Sequence, residues 1–219
     1  MSRPLQKNRR QSSISRPLDR ITTYYAEKIA LHGPSPAGVD WNSRESQELR
    51  FEQLLRVTHG PSYSLNDLGC GYGALYAHIA ATGAVVDYRG FDVSAEMIEQ
   101  AQKLYGTSPN ARFSIGRAPD RRADYTVASG IFNVKLDAPN RKWLDHMLST
   151  LRLIDRASQL GFAFNCLTKY SDRDRMRRYL YYADPCKLFD YCKLRFSSNV
   201  ALLHDYGLYE FTILVRKGD

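Results

Sequence analysis

Short apolar runs of strand length alternate with segments of helical periodicity along most of this chain. The strand-like runs fall at residues 63–65, 85–91, 111–115, 123–129 and 160–166, and helical segments lie among them at 74–81, 95–104 and 141–158. Strands that alternate with helices in this way are typical of an α/β fold with a parallel sheet. The run at 160–166 is apolar almost throughout, as expected of a parallel strand that is covered on both faces.

The two ends of the chain depart from this alternation. Before the first strand, apolar stripes predict helices at 17–32 and 44–58, separated by a Gly- and Pro-rich segment. Asn42 or Ser43 is expected to cap the second helix, and Asn42 and Glu45 have the spacing of a capping box. At the other end, strand-like runs at 199–204 and 210–215 flank a short loop with a glycine, which predicts an antiparallel hairpin.

These boundaries predict a flexible basic tail at 1–15 and one domain at 16–219. The domain would consist of N-terminal cover helices at 16–59 and an α/β core at 60–219. Of the net charge of +8, much comes from the first 20 residues, which carry six basic side chains and one acidic side chain. Because the remainder is only mildly basic, the overall charge gives little support to nucleic-acid binding.

Cysteine spacing and hydropathy indicate the compartment. The four cysteines, Cys70, Cys166, Cys186 and Cys192, have no Cys-x-x-Cys spacing, and no apolar run reaches 18 residues. We therefore expect reduced thiols, no membrane span and a cytoplasmic protein. None of the five histidines has metal-ligand spacing with another, so no metal site is predicted.

A glycine turn between the first strand and the next helix carries the strongest chemical signal. Its glycines are Gly69, Gly71 and Gly73, whereas a dinucleotide fingerprint has its third glycine five positions after its first. Asp67 precedes the turn, and a carboxylate there would repel a pyrophosphate but would suit a cationic ligand. A second acid, Asp92, ends the next strand 19 positions after Gly73, where it could accept hydrogen bonds from both hydroxyls of a ribose.

Acid-x-Gly-x-Gly-x-Gly at 67–73 and Phe-Asp-Val-Ser at 91–94 resemble motifs I and II of the class I S-adenosylmethionine-dependent methyltransferases, of the small-molecule type. The resemblance implies a Rossmann-like α/β fold, with a seven-stranded, mostly parallel sheet, helices on both faces and a C-terminal antiparallel hairpin. It also implies S-adenosyl-L-methionine as cofactor, with S-adenosyl-L-homocysteine as product. The cofactor-binding residues would be Asp67, Gly69, Cys70, Gly71, Gly73, Asp92 and Val93. In the family an acid that binds adenine often follows the third strand; here Gly116 and Arg117 follow it, so the adenine contact stays open.

The acceptor site is expected at the carboxyl edge of the sheet, beneath the cover helices. Candidates for substrate contacts are Tyr24, Tyr25, Trp41, Asn133 and Tyr206, although ordinary packing explains each of them about as well. His204, at the carboxyl end of the sixth strand, is the candidate general base because its usual pKa near 6.5 suits proton removal at neutral pH.

Two classes of acceptor remain open. A small molecule is favoured because two cover helices suggest an enclosed pocket. The alternative is RNA or protein, which the basic tail and the segment from Arg173 to Arg178 could hold, so nucleic acid is possible but not favoured. A binding module without activity is a third hypothesis, which both cofactor motifs disfavour.

Overall fold

The computed structural model describes residues 15–218, with side chains from residue 19 onward; the predicted tail at 1–15 lies outside this range except for its last residue. The helices are α1 (Ser15–His32), α2 (Arg44–Leu55), α3 (Ala74–Ala81), α4 (Ala95–Tyr105), α5 (Asn140–Ala157) and α6 (Pro185–Arg195), with a short 3₁₀ helix at Pro36–Val39. The strands are β1 (Ser62–Leu68), β2 (Val85–Asp92), β3 (Ala111–Ile115), β4 (Ala123–Ala128), β5 (Ser158–Leu167), β6 (Asn199–Leu203) and β7 (Glu210–Arg216).

The seven strands form one sheet in the order β3-β2-β1-β4-β5-β7-β6. The pairs from β3 to β5 are parallel, whereas β7 is antiparallel to both β5 and β6. The order reverses at β1, where β2 and β4 leave it on opposite sides, and this is the place at which open α/β sheets bind ligands. The predicted Rossmann-like sheet with a C-terminal antiparallel hairpin is confirmed.

Helices cover both faces of the sheet because the strands are apolar on both. On one face α2, α3 and α4 pack on a core that includes Leu54, Ile79 and Tyr88. On the other, α5 and α6 pack on a core that includes Phe162 and Phe164, whose side chains are fully buried. The continuous apolar run of β5 therefore reflects burial of this strand on both faces, as predicted.

The N-terminal elements lie across the carboxyl edge of the sheet. Helix α1 packs against α4 and against the 3₁₀ helix. The Tyr24 hydroxyl donates to Asp40 Oδ2 at 2.6 Å, and Lys28 Nζ lies 2.8 Å from Asp40 Oδ1, so α1 is fixed to the segment that follows the 3₁₀ helix. Ser43 caps α2 by accepting a hydrogen bond from the Ser46 amide, so Ser43, and not Asn42, is the cap.

Helix α2 ends three residues earlier than predicted. The Thr58 hydroxyl donates to the Leu55 carbonyl at 2.8 Å and thereby closes the helix at its C-terminal end. In the part of the chain that the structure describes, none of the helices combines the length and apolar character needed to cross a membrane.

Candidate active site

The loop from β1 to α3 is shaped by its glycines. Gly69, Gly71 and Gly73 all have positive φ angles, of 81°, 54° and 85°. A Cβ at Gly69 would lie 2.1 Å from Ile131 Cγ2, so this position must lack a side chain for the loop after β4 to approach. At Gly71 the nearest atom to such a Cβ is Val39 Cγ1, at 3.1 Å, and this glycine borders a cavity. At Gly69 and Gly71 the loop thus presents bare backbone to that cavity.

Asp92 connects this loop to the end of β2. Its Oδ2 accepts the amide of Gly71 and its Oδ1 accepts the amide of Ser94, each at 2.9 Å. Burial raises the pKa of Asp92, and the backbone hydrogen bonds oppose this by stabilising the carboxylate. Each carboxylate oxygen has two lone pairs. Asp92 therefore keeps acceptor capacity toward the cavity after both bonds are made.

Asp67 is buried beneath the glycine loop. The hydroxyl of Tyr88 donates to its Oδ2 at 2.6 Å, whereas its Oδ1 is buried without a hydrogen-bond partner among the described residues. Burial raises the pKa of Asp67 to about 7, the Tyr88 bond lowers it, and the nearby Asp92 raises it. A buried carboxylate oxygen beside a cavity requires a compensating charge or donor. The residues present therefore fit a cationic ligand such as an ammonium group.

The cavity lies between the glycine loop and the N-terminal cover. Its wall includes parts of α1, the 3₁₀ helix, Trp41, α2, α5 and the loops after β3 and β4. Eight of the predicted site residues line it: Tyr25, Trp41, Asp67, Gly69, Cys70, Gly71, Asp92 and Val93. The fold therefore brings the predicted cofactor residues together with two predicted residues of the N-terminal cover, Tyr25 and Trp41. The individual role of each residue stays a prediction.

Gly73 and Tyr24 are not among the described residues that line the cavity. A Cβ at Gly73 would lie 2.9 Å from the ring of Tyr105, so this glycine allows packing beneath the loop. The hydroxyl of Tyr24 is engaged by Asp40. Both residues support the site from outside it.

A buried polar network holds one further candidate, Asn133. Arg50 of α2 forms a bidentate pair with Glu210, with its Nε 2.7 Å from Oε2 and its Nη2 3.2 Å from Oε1. Asn133 donates to Glu210 Oε1 at 3.2 Å and accepts the Leu167 amide at 3.0 Å. Asn165 donates to Glu210 Oε2 at 3.1 Å. The side chain of Asn133 is thus occupied at both ends.

Tyr206 and His204 lie at the hairpin end of the sheet. The Tyr206 hydroxyl is 3.0 Å from the hydroxyl of Thr212. His204 is exposed and contacts the rings of Tyr170 and Phe211. Strand β6, which it follows, is four strands from β1, or roughly 19 Å at the usual strand spacing. Neither residue is among the described residues lining the cavity, and the base role of His204 stays a prediction.

The residues of the cavity wall that were not predicted from the sequence include His146 and Thr150 of α5 and Arg117 after β3. His146 and Thr150 lie four residues apart, so helical periodicity places them on one face, which could have identified them. Burial lowers the pKa of His146, and the charge of Arg117 lowers it further. Both effects favour the neutral form of the His146 imidazole. Within residues 15–218, His, Cys, Asp and Glu side chains nowhere form a group of three that could hold a metal ion.

Comparison with known proteins agrees with this site. A family model described as "Methyltransferase domain" matches residues 66–154, which include the glycine loop and Asp92. A protein of Mycobacterium tuberculosis (strain ATCC 25618 / H37Rv), named "Putative methyltransferase Rv1506c", is 57% identical over 161 residues, which is 74% of this chain and 97% of that protein.

Solved structures extend the likeness to the fold. The "DhpI-SAH complex structure" has a TM-score of 0.62 at 16% identity and covers 92% of this chain and 97% of its own. Human N-acetylserotonin methyltransferase in complex with SAM has a TM-score of 0.52 at 15% identity, covering 94% of this chain and 68% of its own. At these identities the likeness shows the fold, and both structures hold an S-adenosyl ligand.

Proposed function

Because the chain belongs to the class I S-adenosylmethionine-dependent methyltransferases, we propose that it methylates a small molecule held in the cavity beneath α1. The single observation that carries the proposal is the position of the cavity. It lies directly on the glycine loop and is bounded on its other side by α1, the 3₁₀ helix and Trp41. An acceptor enclosed in this way must be a small molecule, or the end of a larger one, that fits between α1 and the glycine loop.

The residues on the floor of the cavity suit the cofactor. The unpartnered Oδ1 of Asp67 would accept from its ammonium group, and the carboxylate of Asp92 would accept from its ribose hydroxyls. Gly71 would let the ligand approach the backbone. When bound, S-adenosylmethionine supplies an activated methyl group on a positively charged sulfur. The main task of the protein is then to align the acceptor atom with that methyl group.

A small acceptor is also consistent with one fold neighbour. Human N-acetylserotonin methyltransferase, which shares the fold, acts by its name on a small molecule. The RNA or protein alternative depends on the basic tail, which lies almost entirely outside the described residues, and on the segment from Arg173 to Arg178, which is largely exposed. The described residues that line the cavity on the glycine loop do not include that segment, which favours the small molecule.

The cofactor contacts can be tested by titration calorimetry with S-adenosylhomocysteine. Asp92→Ala should weaken binding by at least about tenfold, since each hydrogen bond to a charged group contributes about 1.5–3 kcal/mol. Asp87→Ala is the matched control, because Asp87 lies on the same strand with a largely exposed carboxylate that pairs with Arg121. Equal affinity in the Asp92 variant and the control would contradict the assigned role.

The acceptor class can be tested with methyl-labelled S-adenosylmethionine and a cell extract divided by ultrafiltration. We expect the label to enter the low-mass filtrate, and to do so less with the Asp92→Ala enzyme. Label that enters RNA or protein in the retentate, and falls steeply with added salt, would instead support the polymer alternative. Calorimetry tests cofactor binding independently, so the two parts of the proposal can fail separately.

A further inference from the structure

Beyond the glycine loop, the cavity has a second wall, which includes the substrate candidates Tyr25 and Trp41. It consists of Ile21 and Tyr25 of α1, Trp41, Gln47 of α2, and Ser129 and Ile131 in the loop after β4. We infer that this wall binds the methyl acceptor, and that the acceptor is an uncharged molecule with a flat aromatic body and a hydrogen-bonding substituent. The inference rests on the proposed function and adds the chemical class of its substrate.

The electrostatics of this wall favour an uncharged acceptor, because the cations beside it are already paired. Arg117, which lines the cavity, bonds Asp19 through its Nη2 at 2.7 Å. Arg50, which stacks on Trp41, forms its bidentate pair with Glu210. Lys28 is paired with Asp40.

An anionic acceptor would therefore find no unpaired cation among these three residues, and it would lose its hydration on entering. Burial of an unpaired charge costs several kcal/mol. Among the described residues lining the cavity, the carboxylates are Asp67 and Asp92, and both belong to the cofactor part of the site. A cationic acceptor thus has no carboxylate of its own on the second wall.

The aromatic preference follows from the way Trp41 is held. The guanidinium carbon of Arg50 lies 4.0 Å from the centre of the Trp41 ring. A Cβ at Gly130 would lie only 2.5 Å from Trp41 Cζ2, so the edge of the indole rests on the backbone of the loop after β4. The ring is fixed by both contacts while it lines the cavity. A rigid aromatic surface binds flat aromatic ligands at little entropic cost.

Neutral polar groups on the same wall provide the hydrogen bonds. The Ser129 hydroxyl is buried without a partner among the described residues, so a ligand group is needed to satisfy it. Gln47 accepts a hydrogen bond from the Tyr72 hydroxyl through Oε1 at 3.2 Å, which leaves its amide group able to donate. A hydroxyl or carbonyl substituent on an aromatic ring matches both groups without adding charge.

Three probes separate flatness from charge, each titrated by calorimetry at neutral pH into protein saturated with S-adenosylhomocysteine. The probes are 2-naphthol, decahydro-2-naphthol, which has the same skeleton without the flat ring, and 6-hydroxy-2-naphthoate, which adds one negative charge. We expect 2-naphthol to bind about 3- to 10-fold more tightly than its saturated analogue. We expect 2-naphthol to bind at least about 100-fold more tightly than 6-hydroxy-2-naphthoate.

Variants of Trp41 locate the binding site. Trp41→Leu should remove the preference for 2-naphthol over decahydro-2-naphthol, and Trp41→Phe should keep most of it, while both retain affinity for S-adenosylhomocysteine. Equal binding of the two naphthols by the wild type, tight binding of the naphthoate, or no binding of 2-naphthol at millimolar concentration would each overturn the inference. If the wild type does not bind S-adenosylhomocysteine at all, the proposed function is refuted instead, so the two failures are distinguishable.

Discussion

Cofactor binding should depend on pH through Asp67. Burial raises the pKa of Asp67 in the free protein to about 7, and its Oδ1 has no hydrogen-bond partner among the described residues. An ammonium group must bind the ionised form, so below pH 7 binding requires loss of a proton. At pH 6 only about a tenth of the carboxyl groups are ionised, which costs about 1.4 kcal/mol. The Kd should therefore be roughly tenfold weaker at pH 6 than at the plateau above pH 8.

The same pKa shift has the opposite effect on the stability of the free protein. Burial disfavours the charged form, so the folded-state pKa is raised above that of the unfolded chain, which is near 4. The stabilisation from protonated Asp67 is then complete below pH 4 and is lost as the pH rises through 7. Between these values, stability attributable to Asp67 falls while the fraction competent to bind the cofactor rises.

Calorimetry at pH 5.5 to 8, in two buffers of different ionisation enthalpy, measures both the affinity and the protons released. Asp67→Asn should bind more weakly and show no such pH dependence. Tyr88→Phe removes the hydrogen bond that lowers the pKa of Asp67, so its midpoint should move above 7. Equal wild-type affinity at pH 6 and 8 without proton release would refute the reasoning. A slope retained by Asp67→Asn would assign the titration to another group in the cavity, such as His146.

Three further predictions concern other parts of the site. Gly71→Val should abolish S-adenosylhomocysteine binding. Gly83→Val is the control: it also replaces a glycine of positive φ, but in open space, so this variant should lose stability and keep binding. Equal binding by both variants would show that the role of the glycine loop is misassigned. Arg50→Met should destabilise the protein by about 3–5 kcal/mol in urea unfolding because Glu210 stays buried, and adding Glu210→Gln should restore much of this loss. If His204 is the general base, His204→Ala should lower kcat by about 100-fold, measured with an identified acceptor. An unchanged kcat would show that the exposed His204 does not act as the base.

The order of helices and strands was predictable because it depends on local periodicity, but strand lengths were less so. The first strand was predicted at 63–65, whereas β1 extends over Ser62–Leu68. Its second half contains Asn66 and Asp67, which look unsuited to a buried strand. Asn66 is satisfied by Arg121, which it bonds through both ends of its amide, and one carboxylate oxygen of Asp67 accepts from Tyr88. Those partners lie on other elements, so the pattern around β1 could not reveal them.

The residues proposed to bind the cofactor could be selected from the sequence because the chain brings them together locally. Asp67 lies near the end of β1, Gly69 to Gly73 form the turn that follows it, and Asp92 ends the neighbouring strand, to which Gly69 and Gly71 are hydrogen-bonded. The acceptor wall is different, since its parts come from α1, α2 and the loop after β4. The Arg50–Glu210 pair that supports Trp41 joins residues separated by 160 positions. Periodicity shows that Arg50 lies on a helix, but not which carboxylate it meets.

His204 and His146 show why the carboxyl edge of a sheet is too coarse a guide to a site. His204 follows β6, which ends at the same edge of the sheet as β1, so the sequence placed it at the correct edge. Position along the edge, however, depends on strand order, and the hairpin places β6 outermost, beyond β7. His146 belongs to a helix, yet it lines the cavity because α5 connects β4 to β5 and packs beside the central strands. A proton acceptor is therefore better sought among groups near β1 and β4, where the order of the strands reverses, and His146 should be tested beside His204 once an acceptor is known.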